Sequence, residues 1–300
     1  MVAERRRLPL LGSADVTSHG STVERTTVTA GGFELSALTA GAADAPLVVL
    51  LHGFPQSSRC WEHALHTLAD AGYRVVAPDQ RGYSPAANPH EIAAYRIDEL
   101  VGDVIDIAGA WGRRRFHIVG HDWGGTVAWA VAAEHPNRVA SLTAVSTPHT
   151  AALARALRRA RQRARMAYIP VLQLPWIGEA AFERLGGALA VQALVAAGLP
   201  RDIARRDVAA MRAVGPRGPL NWYRALRLGG APRAKSVQVP TLYVWSTCDV
   251  AFGREAAELT ERHVNGPYHF VELRGASHWI PDLHWDDTAD LVLEHLRATP

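Results

Sequence analysis

The stretch FHIVGHDWGGTVAWAVAAEH, from Phe116 to His135, decides the fold of this 300-residue chain. Its first four residues form a short apolar run that predicts a buried strand, and its alanine-rich second half predicts a helix. Between them lies GHDWGG, a G-x-nucleophile-x-G turn, in which bulky residues would collide where strand and helix cross. Asp122 stands at the nucleophile position, where serine is more common. A second interpretation is that Asp122 only caps the helix, since aspartate is a favoured N-cap residue.

Short apolar runs alternate with helical patterns on both sides of this turn. We predict strands in eight segments: VERTTVTA, FELSALTA, PLVVLLHG, YRVVAPD, FHIVG, SLTAVST, TLYVWST and HFVELRG. Near-continuous apolar strands indicate a mostly parallel sheet with helices on both faces, an α/β fold. We expect the core to span residues 22–147 and 236–300, with a helical cap, residues 148–235, inserted after the sixth strand. Residues 1–21 are expected to form an N-terminal tail.

Composition narrows the classes of function. The chain is 48% hydrophobic and 20% charged, and its net charge of +3 is too small to indicate a nucleic-acid partner. Two distant cysteines suggest a reduced compartment, and no segment is typical of a signal peptide or a membrane span. We therefore expect a cytoplasmic protein without stable membrane insertion; the sequence does not indicate an oligomeric state. The arginine-rich run at 154–166 is expected to be a solvated helix face.

Residues that follow other strands complete a candidate catalytic site, because ligands of such sheets bind at the carboxyl ends of the strands. Asp249 follows TLYVWST, and His278 follows HFVELRG. The chain order of nucleophile, acid and histidine is that of a hydrolytic triad with Asp122 as the nucleophile. The segment HGFP, after PLVVLL, predicts an oxyanion hole formed by the backbone N–H groups of Phe54 and Trp123. The fourteen histidines show no metal-ligand spacing, so neither a metal nor a cofactor is expected.

Through HGFP, GHDWGG, STCD and GASHW, the chain resembles the epoxide hydrolase and haloalkane dehalogenase branch of the α/β-hydrolase family. The resemblance covers residues 23–298 and implies the α/β-hydrolase fold. It also implies that Tyr168 and Tyr223 donate hydrogen bonds to an opening epoxide, because their segments resemble the cap segments that carry the paired tyrosines of epoxide hydrolases. We expect five further residues in the substrate pocket: His52, Pro55, Trp176, Trp222 and Trp279.

An aspartate nucleophile indicates the type of substrate. A carboxylate that attacks an acyl carbonyl makes an anhydride, a poor intermediate, whereas attack on a saturated carbon makes an ordinary ester. We expect an epoxide to be opened to a vicinal diol through an ester of Asp122, which a water molecule activated by His278 hydrolyses. A histidine near its ordinary pKa would be neutral enough to act as this base.

Two alternatives stay open at this point. A haloalkane dehalogenase would use the same Asp122, His278 and Asp249. The side chain of Phe54 offers no hydrogen-bond donor to a halide, which counts against this alternative. The second alternative is a binding protein that has kept the fold and lost turnover, and the complete triad argues against it.

Overall fold

The computed structural model describes residues 4–8, 20–228 and 235–299. Nine strands are present in these residues: β1 (Glu4–Leu8), β2 (Glu24–Ala30), β3 (Phe33–Ala40), β4 (Leu47–Leu51), β5 (Arg74–Pro78), β6 (Phe116–His121), β7 (Val139–Val145), β8 (Thr241–Cys248) and β9 (Tyr268–Ser277). They form one sheet in the order β1-β9-β8-β7-β6-β4-β5-β3-β2. Strand β3 runs antiparallel to both of its neighbours, β2 and β5. All other neighbouring strands of the sheet are parallel.

Thirteen α-helices accompany the sheet in the described residues: α1 (Glu62–Asp70), α2 (Ile97–Ala110), α3 (Trp123–Glu134), α4 (Thr150–Ala156), α5 (Ala160–Arg165), α6 (Ile169–Gln173), α7 (Ile177–Glu183), α8 (Ala188–Ala196), α9 (Arg201–Val214), α10 (Arg217–Ala225), α11 (Arg254–Leu259), α12 (Ile280–Leu283) and α13 (Ala289–Arg297). Helices α4 to α10 form the cap. No helix of the described part of the chain has both the length and the apolar character needed to cross a membrane.

Both faces of the sheet are covered, which explains why its strands are apolar throughout. Val49 and Leu51 of β4 pack with α2 and α3 on one face. Val48 and Leu50 of the same strand pack with α1 and α13 on the other face. Because successive side chains of a strand point to opposite faces, a strand buried on both faces must be apolar at every position.

Part of the expected N-terminal tail is instead a strand. The segment ERRRL forms β1, which pairs in parallel with β9 from Glu4 opposite His269 to Leu8 opposite Leu273. Its side-chain pattern does not predict a strand, but the backbone N–H and C=O groups can pair whatever the side chains are. The rest of the predicted tail up to residue 19 lies outside the described residues. Because β1 comes first, the cap follows the seventh strand and not the sixth.

The cap has its own apolar cluster and is joined to the core by hydrogen bonds from two indoles. Trp279, after β9, packs in that cluster and donates its indole N–H to the carbonyl of Ala197 at 2.9 Å. From the cap, Trp222 donates to the carbonyl of Arg81 at 2.8 Å. The cap is therefore fixed over the carboxyl ends of β4, β6, β8 and β9, where the candidate catalytic residues were predicted.

Candidate active site

Asp122 lies in a sharp turn between β6 and α3. Its φ of 51° is in the left-handed region that non-glycine residues rarely adopt. Although Asp122 occupies the N-cap position of α3, its side chain makes no capping hydrogen bond. Instead, its Oδ1 accepts the backbone N–H of Phe54 at 3.0 Å, and the N–H of Trp123 also interacts with the carboxylate. The strained backbone therefore turns the carboxylate toward the two amides of the predicted oxyanion hole and not toward its own helix.

Glycines make this turn possible by allowing two close approaches. A β-carbon on Gly124 would overlap the backbone carbonyl of Leu51 in β4, and one on Gly53 would overlap the side chain of Asp122. The glycines of HGFP and GHDWGG therefore let the nucleophile turn and the oxyanion loop touch. This contact brings the Phe54 amide within hydrogen-bond distance of Asp122.

His278 lies between the two carboxylates of the predicted triad. Its Nδ1–H donates to Oδ2 of Asp249 at 3.0 Å, and its Nε2 is 3.7 Å from Oδ2 of Asp122. The backbone carbonyl of His278 accepts from Nε2 of His121 at 2.9 Å and from the hydroxyl of Ser146 at 3.1 Å. These bonds fix the ring so that Nε2 faces Asp122, the arrangement that a general base beside a nucleophile requires.

The acid of the triad is held by its own loop. Oδ1 of Asp249 accepts the backbone N–H groups of Ala251 and Phe252 at 2.7 and 2.8 Å, which leaves Oδ2 for the histidine. Gln162 of α5, buried in the cap, braces the same loop by donating to the carbonyl of Ala251 at 2.7 Å and accepting the N–H of Gly253 at 2.9 Å. A cap residue thus helps to orient Asp249, the candidate acid.

Burial and mutual charge set the pKa values of the triad. Burial raises the pKa of Asp122 above its ordinary value, while His278 and the amides of Phe54 and Trp123 act in the opposite direction. Burial lowers the pKa of His278, but Asp249 and then Asp122 outweigh this effect and raise it above its ordinary value. The expectation of a near-normal histidine pKa was therefore wrong, because both carboxylates favour the imidazolium form.

A cavity of about 390 Å³ lies between the cap and the triad. Asp122 and His278 line it from the core, and Tyr168 and Tyr223 line it from the cap. Much of the remaining wall is apolar and includes Pro55, Leu172, Phe182, Leu189, Leu194 and Trp279. A cavity of this size with few polar groups is typical of a site for a small, largely apolar molecule.

The two cap tyrosines lie edge to face, with ring centroids 6.3 Å apart. The buried ring of Tyr223 also contacts Phe54 and Trp123, each with centroids 5.1 Å away. Tyr168 is 41% exposed as a residue, yet loss of hydration raises the pKa of its phenol, as it does that of the buried Tyr223, and the negative charge of Asp122 raises both pKa values further. Both hydroxyls therefore remain protonated at neutral pH and can donate hydrogen bonds into the cavity.

Comparisons with known proteins identify the family. A family model described as the alpha/beta hydrolase fold matches residues 46–168. The AB hydrolase superfamily protein YfhM of Bacillus subtilis is 36% identical over 278 residues, which cover 90% of this chain and 96% of that protein. This chain belongs to the α/β-hydrolase family.

Within the family, this α/β-hydrolase falls in the epoxide hydrolase branch. Epoxide hydrolase A of Mycobacterium tuberculosis is 32% identical, with 93% of this chain and 98% of that protein covered. The crystal structure of epoxide hydrolase A from Mycobacterium thermoresistibile superposes with a TM-score of 0.76 at 28% identity, covering 93% and 99% of the two chains. The protein is therefore a hydrolase.

Three residues expected in the pocket of this α/β-hydrolase do not line the cavity. Trp176 is 82% exposed on the cap. His52 is buried beneath the site, where its Nε2 accepts the backbone N–H of Gln80 at 3.2 Å. Trp222 is buried too. Its indole donates to a core carbonyl and packs on Trp123, with the two ring centroids 5.7 Å apart. All three were assigned from their proximity to motif residues in sequence, which does not determine the direction of a side chain.

Two residues of this α/β-hydrolase were missed because the arginine-rich run was expected to be only solvated. Gln162 braces the loop of the acid, and Arg165 lines the cavity and donates its Nη1–H to the carbonyl of Asp249. Residues three apart lie on the same face of a helix, so the spacing of Gln162 and Arg165 could have indicated that both contact the same neighbouring loop. Gln162 is also the one uncharged polar residue among the alternating arginines and alanines of α5.

Proposed function

We propose that the protein is an epoxide hydrolase that opens an epoxide to a vicinal diol through an ester of Asp122. One observation carries the proposal: two protonated phenols, Tyr168 and Tyr223, line the same apolar cavity as a carboxylate in a nucleophile turn. A phenol hydroxyl supplies the hydrogen bond that an opening epoxide oxygen needs, whereas a departing halide needs no proton. The same function is supported by the name of epoxide hydrolase A of Mycobacterium tuberculosis, whose sequence is similar to this one over nearly the whole chain.

The first step forms the ester. Oδ1 of Asp122 is held by the Phe54 amide, so Oδ2 is free to attack an epoxide carbon. The new bond joins Oδ2 to that carbon, the carbon–oxygen bond of the ring breaks, and the ring oxygen takes a proton from Tyr168 or Tyr223. The phenolate regains its proton during the second step. The raised pKa of both phenols means that transfer occurs only as the oxygen develops alkoxide character.

The second step hydrolyses the ester. A water molecule gives a proton to Nε2 of His278 and attacks the carbonyl carbon of Asp122, while Asp249 stabilises the imidazolium that forms. The oxyanion develops on Oδ1, beside the amides of Phe54 and Trp123. The tetrahedral intermediate then collapses, and the diol leaves with Oδ2 and the proton from His278. The carboxyl group that forms on Asp122 keeps an oxygen atom from water and loses its remaining proton, which returns through water to the phenolate.

This exchange of oxygen atoms gives the test of the proposed function. In a single turnover in ¹⁸O-labelled water with excess enzyme, we expect the first diol to carry no label and the peptide that contains Asp122 to gain one ¹⁸O. Label in the first diol would instead indicate direct attack by water and would refute the covalent route. Asp122→Asn is the matched control, because its side chain has nearly the same size and should form no ester.

A further inference from the structure

Most of the large apolar side chains that the chain exposes lie in one stretch of the cap. Ten such residues are exposed in the described part of the chain, and seven of them fall between residues 168 and 189. We term these seven the apolar cap surface: Tyr168, Val171, Leu174, Trp176, Ile177, Leu185 and Leu189. Concentrated exposure of this kind marks a site of contact with another molecule, since single exposed apolar residues are normally scattered.

Backbone strain coincides with the strongest exposure. Trp176 and Leu185 are 82% and 81% exposed, and both have positive φ, at 65° and 50°. Bulky residues rarely adopt this conformation, which has an energetic cost. Exposure of these side chains to water does not offset that cost. Burial of the indole and the leucine side chain in an apolar surrounding would offset it.

The apolar cap surface is continuous with the cavity. Tyr168 and Leu189 belong to both, since each is exposed and each also lines the cavity that contains Asp122. Val250, on the loop of the acid, is likewise exposed and lines the cavity. The cavity therefore opens among exposed apolar side chains.

Positive charge is concentrated in the segment that leads into this surface. Residues 155–189 contain seven arginines and two glutamates, whereas the whole chain has a net charge of only +3. One of the two glutamates, Glu179, is paired with Arg224. Among the seven arginines of this segment, Arg159 pairs with Glu255 of the core. An exposed tryptophan with aliphatic residues and clustered arginines is the composition of surfaces that bind anionic membranes.

We propose that the apolar cap surface docks on an anionic lipid bilayer, with the arginines of the α4–α5 segment against lipid phosphates. A second copy of the chain is a poorer partner, because a two-fold contact between identical surfaces would bring the same arginines together. Docking would open the cavity toward the bilayer and let an apolar epoxide pass directly to Asp122. That consequence rests on the proposed function, whereas docking itself does not.

The test is co-sedimentation of the full chain with vesicles, without any substrate. We expect binding to vesicles of phosphatidylcholine with phosphatidylglycerol, weaker binding to phosphatidylcholine alone, and loss of binding at high salt. The double variant Trp176→Ser with Ile177→Ser should weaken binding at least about tenfold. Replacement of Arg158 and Arg161 with glutamine should weaken it by roughly fivefold for each arginine removed.

Matched controls separate this surface from general effects. Ile92→Ser removes an exposed apolar residue of the core, and Arg25→Gln with Arg114→Gln removes two charges there; neither should change vesicle binding. Absence of binding to anionic vesicles, or binding that the cap variants leave unchanged, would overturn the proposal. A dimer in light scattering that the Trp176 and Ile177 variant dissociates would overturn it in favour of a second copy. The arginine variant keeps the apolar residues, so it tests docking even if the serine variant unfolds.

Discussion

Replacing Tyr223 with phenylalanine removes a hydroxyl donor from the cavity and keeps the ring. The ring contacts Phe54 and Trp123, and those contacts should survive, so the shape of the cavity changes little. In the proposed mechanism the epoxide oxygen becomes an alkoxide, and a hydrogen bond to a charged group contributes about 1.5–3 kcal/mol. Loss of one of two donors should therefore slow ester formation about 10- to 150-fold.

The second tyrosine provides an internal comparison. Tyr168 lines the same cavity with its ring 6.3 Å from that of Tyr223, so Tyr168→Phe should slow ester formation to a similar degree. The double variant leaves no phenol donor in the cavity wall. We expect it to slow ester formation by about 10³-fold or more, since two charged hydrogen bonds are lost.

The assay is rapid-quench single turnover with intact-mass detection of the ester on Asp122, which measures ester formation and hydrolysis separately. Hydrolysis should stay near the wild-type rate, because the phenols take no part in activating water. Tyr83→Phe is the matched control: Tyr83 is buried, its ring contacts His52, and it does not line the cavity. Ester formation at the wild-type rate in the variant that lacks both Tyr168 and Tyr223 would refute the role of the phenols.

Three other predictions concern the fold, the cap and pH. Gly124→Ala should destabilise the protein by about 1–3 kcal/mol in urea unfolding, since the new methyl overlaps the carbonyl of Leu51. The control Gly102→Ala should not destabilise it, because a methyl there enters open space beside α2. Gln162→Ala should slow ester hydrolysis by roughly 10- to 100-fold in single turnovers while ester formation is kept, because the loop of the acid loses its brace. The rate of ester hydrolysis should rise with pH as His278 loses its proton. The midpoint of this rise should lie below the pKa of His278 in the free enzyme, which NMR titration would measure, because the ester removes the negative charge of Asp122 that raises the pKa of His278.

The core and the clustering of the three candidate catalytic residues could be predicted because they rest on strong local signals. Strands covered on both faces are apolar at every position, so their order along the chain is visible in the sequence. Asp122, Asp249 and His278 each follow such a strand, and the sheet brings the carboxyl ends of its strands to one edge. The structure places these three residues within hydrogen-bond or near-contact distance of one another.

Side-chain direction in the cap could not be predicted. The cap helices are short and rich in alanine, leucine and arginine, so their apolar residues do not define one buried face. Tyr168 therefore lines the cavity while Trp176, eight residues later, is exposed. His52 faces Gln80 because the turn after β4 sends its side chain beneath the site, a choice that the motif HGFP does not encode.

The ester on Asp122 is the central claim, and intact-protein mass spectrometry of His278→Gln tests it most directly. This variant keeps the nucleophile and lacks the base, so the ester should form and persist. After incubation with a panel of epoxides, we predict a gain equal to the mass of one whole epoxide, located on the peptide that contains Asp122. An unmodified Asp122 peptide across the panel, in a variant shown to be folded, would contradict the account.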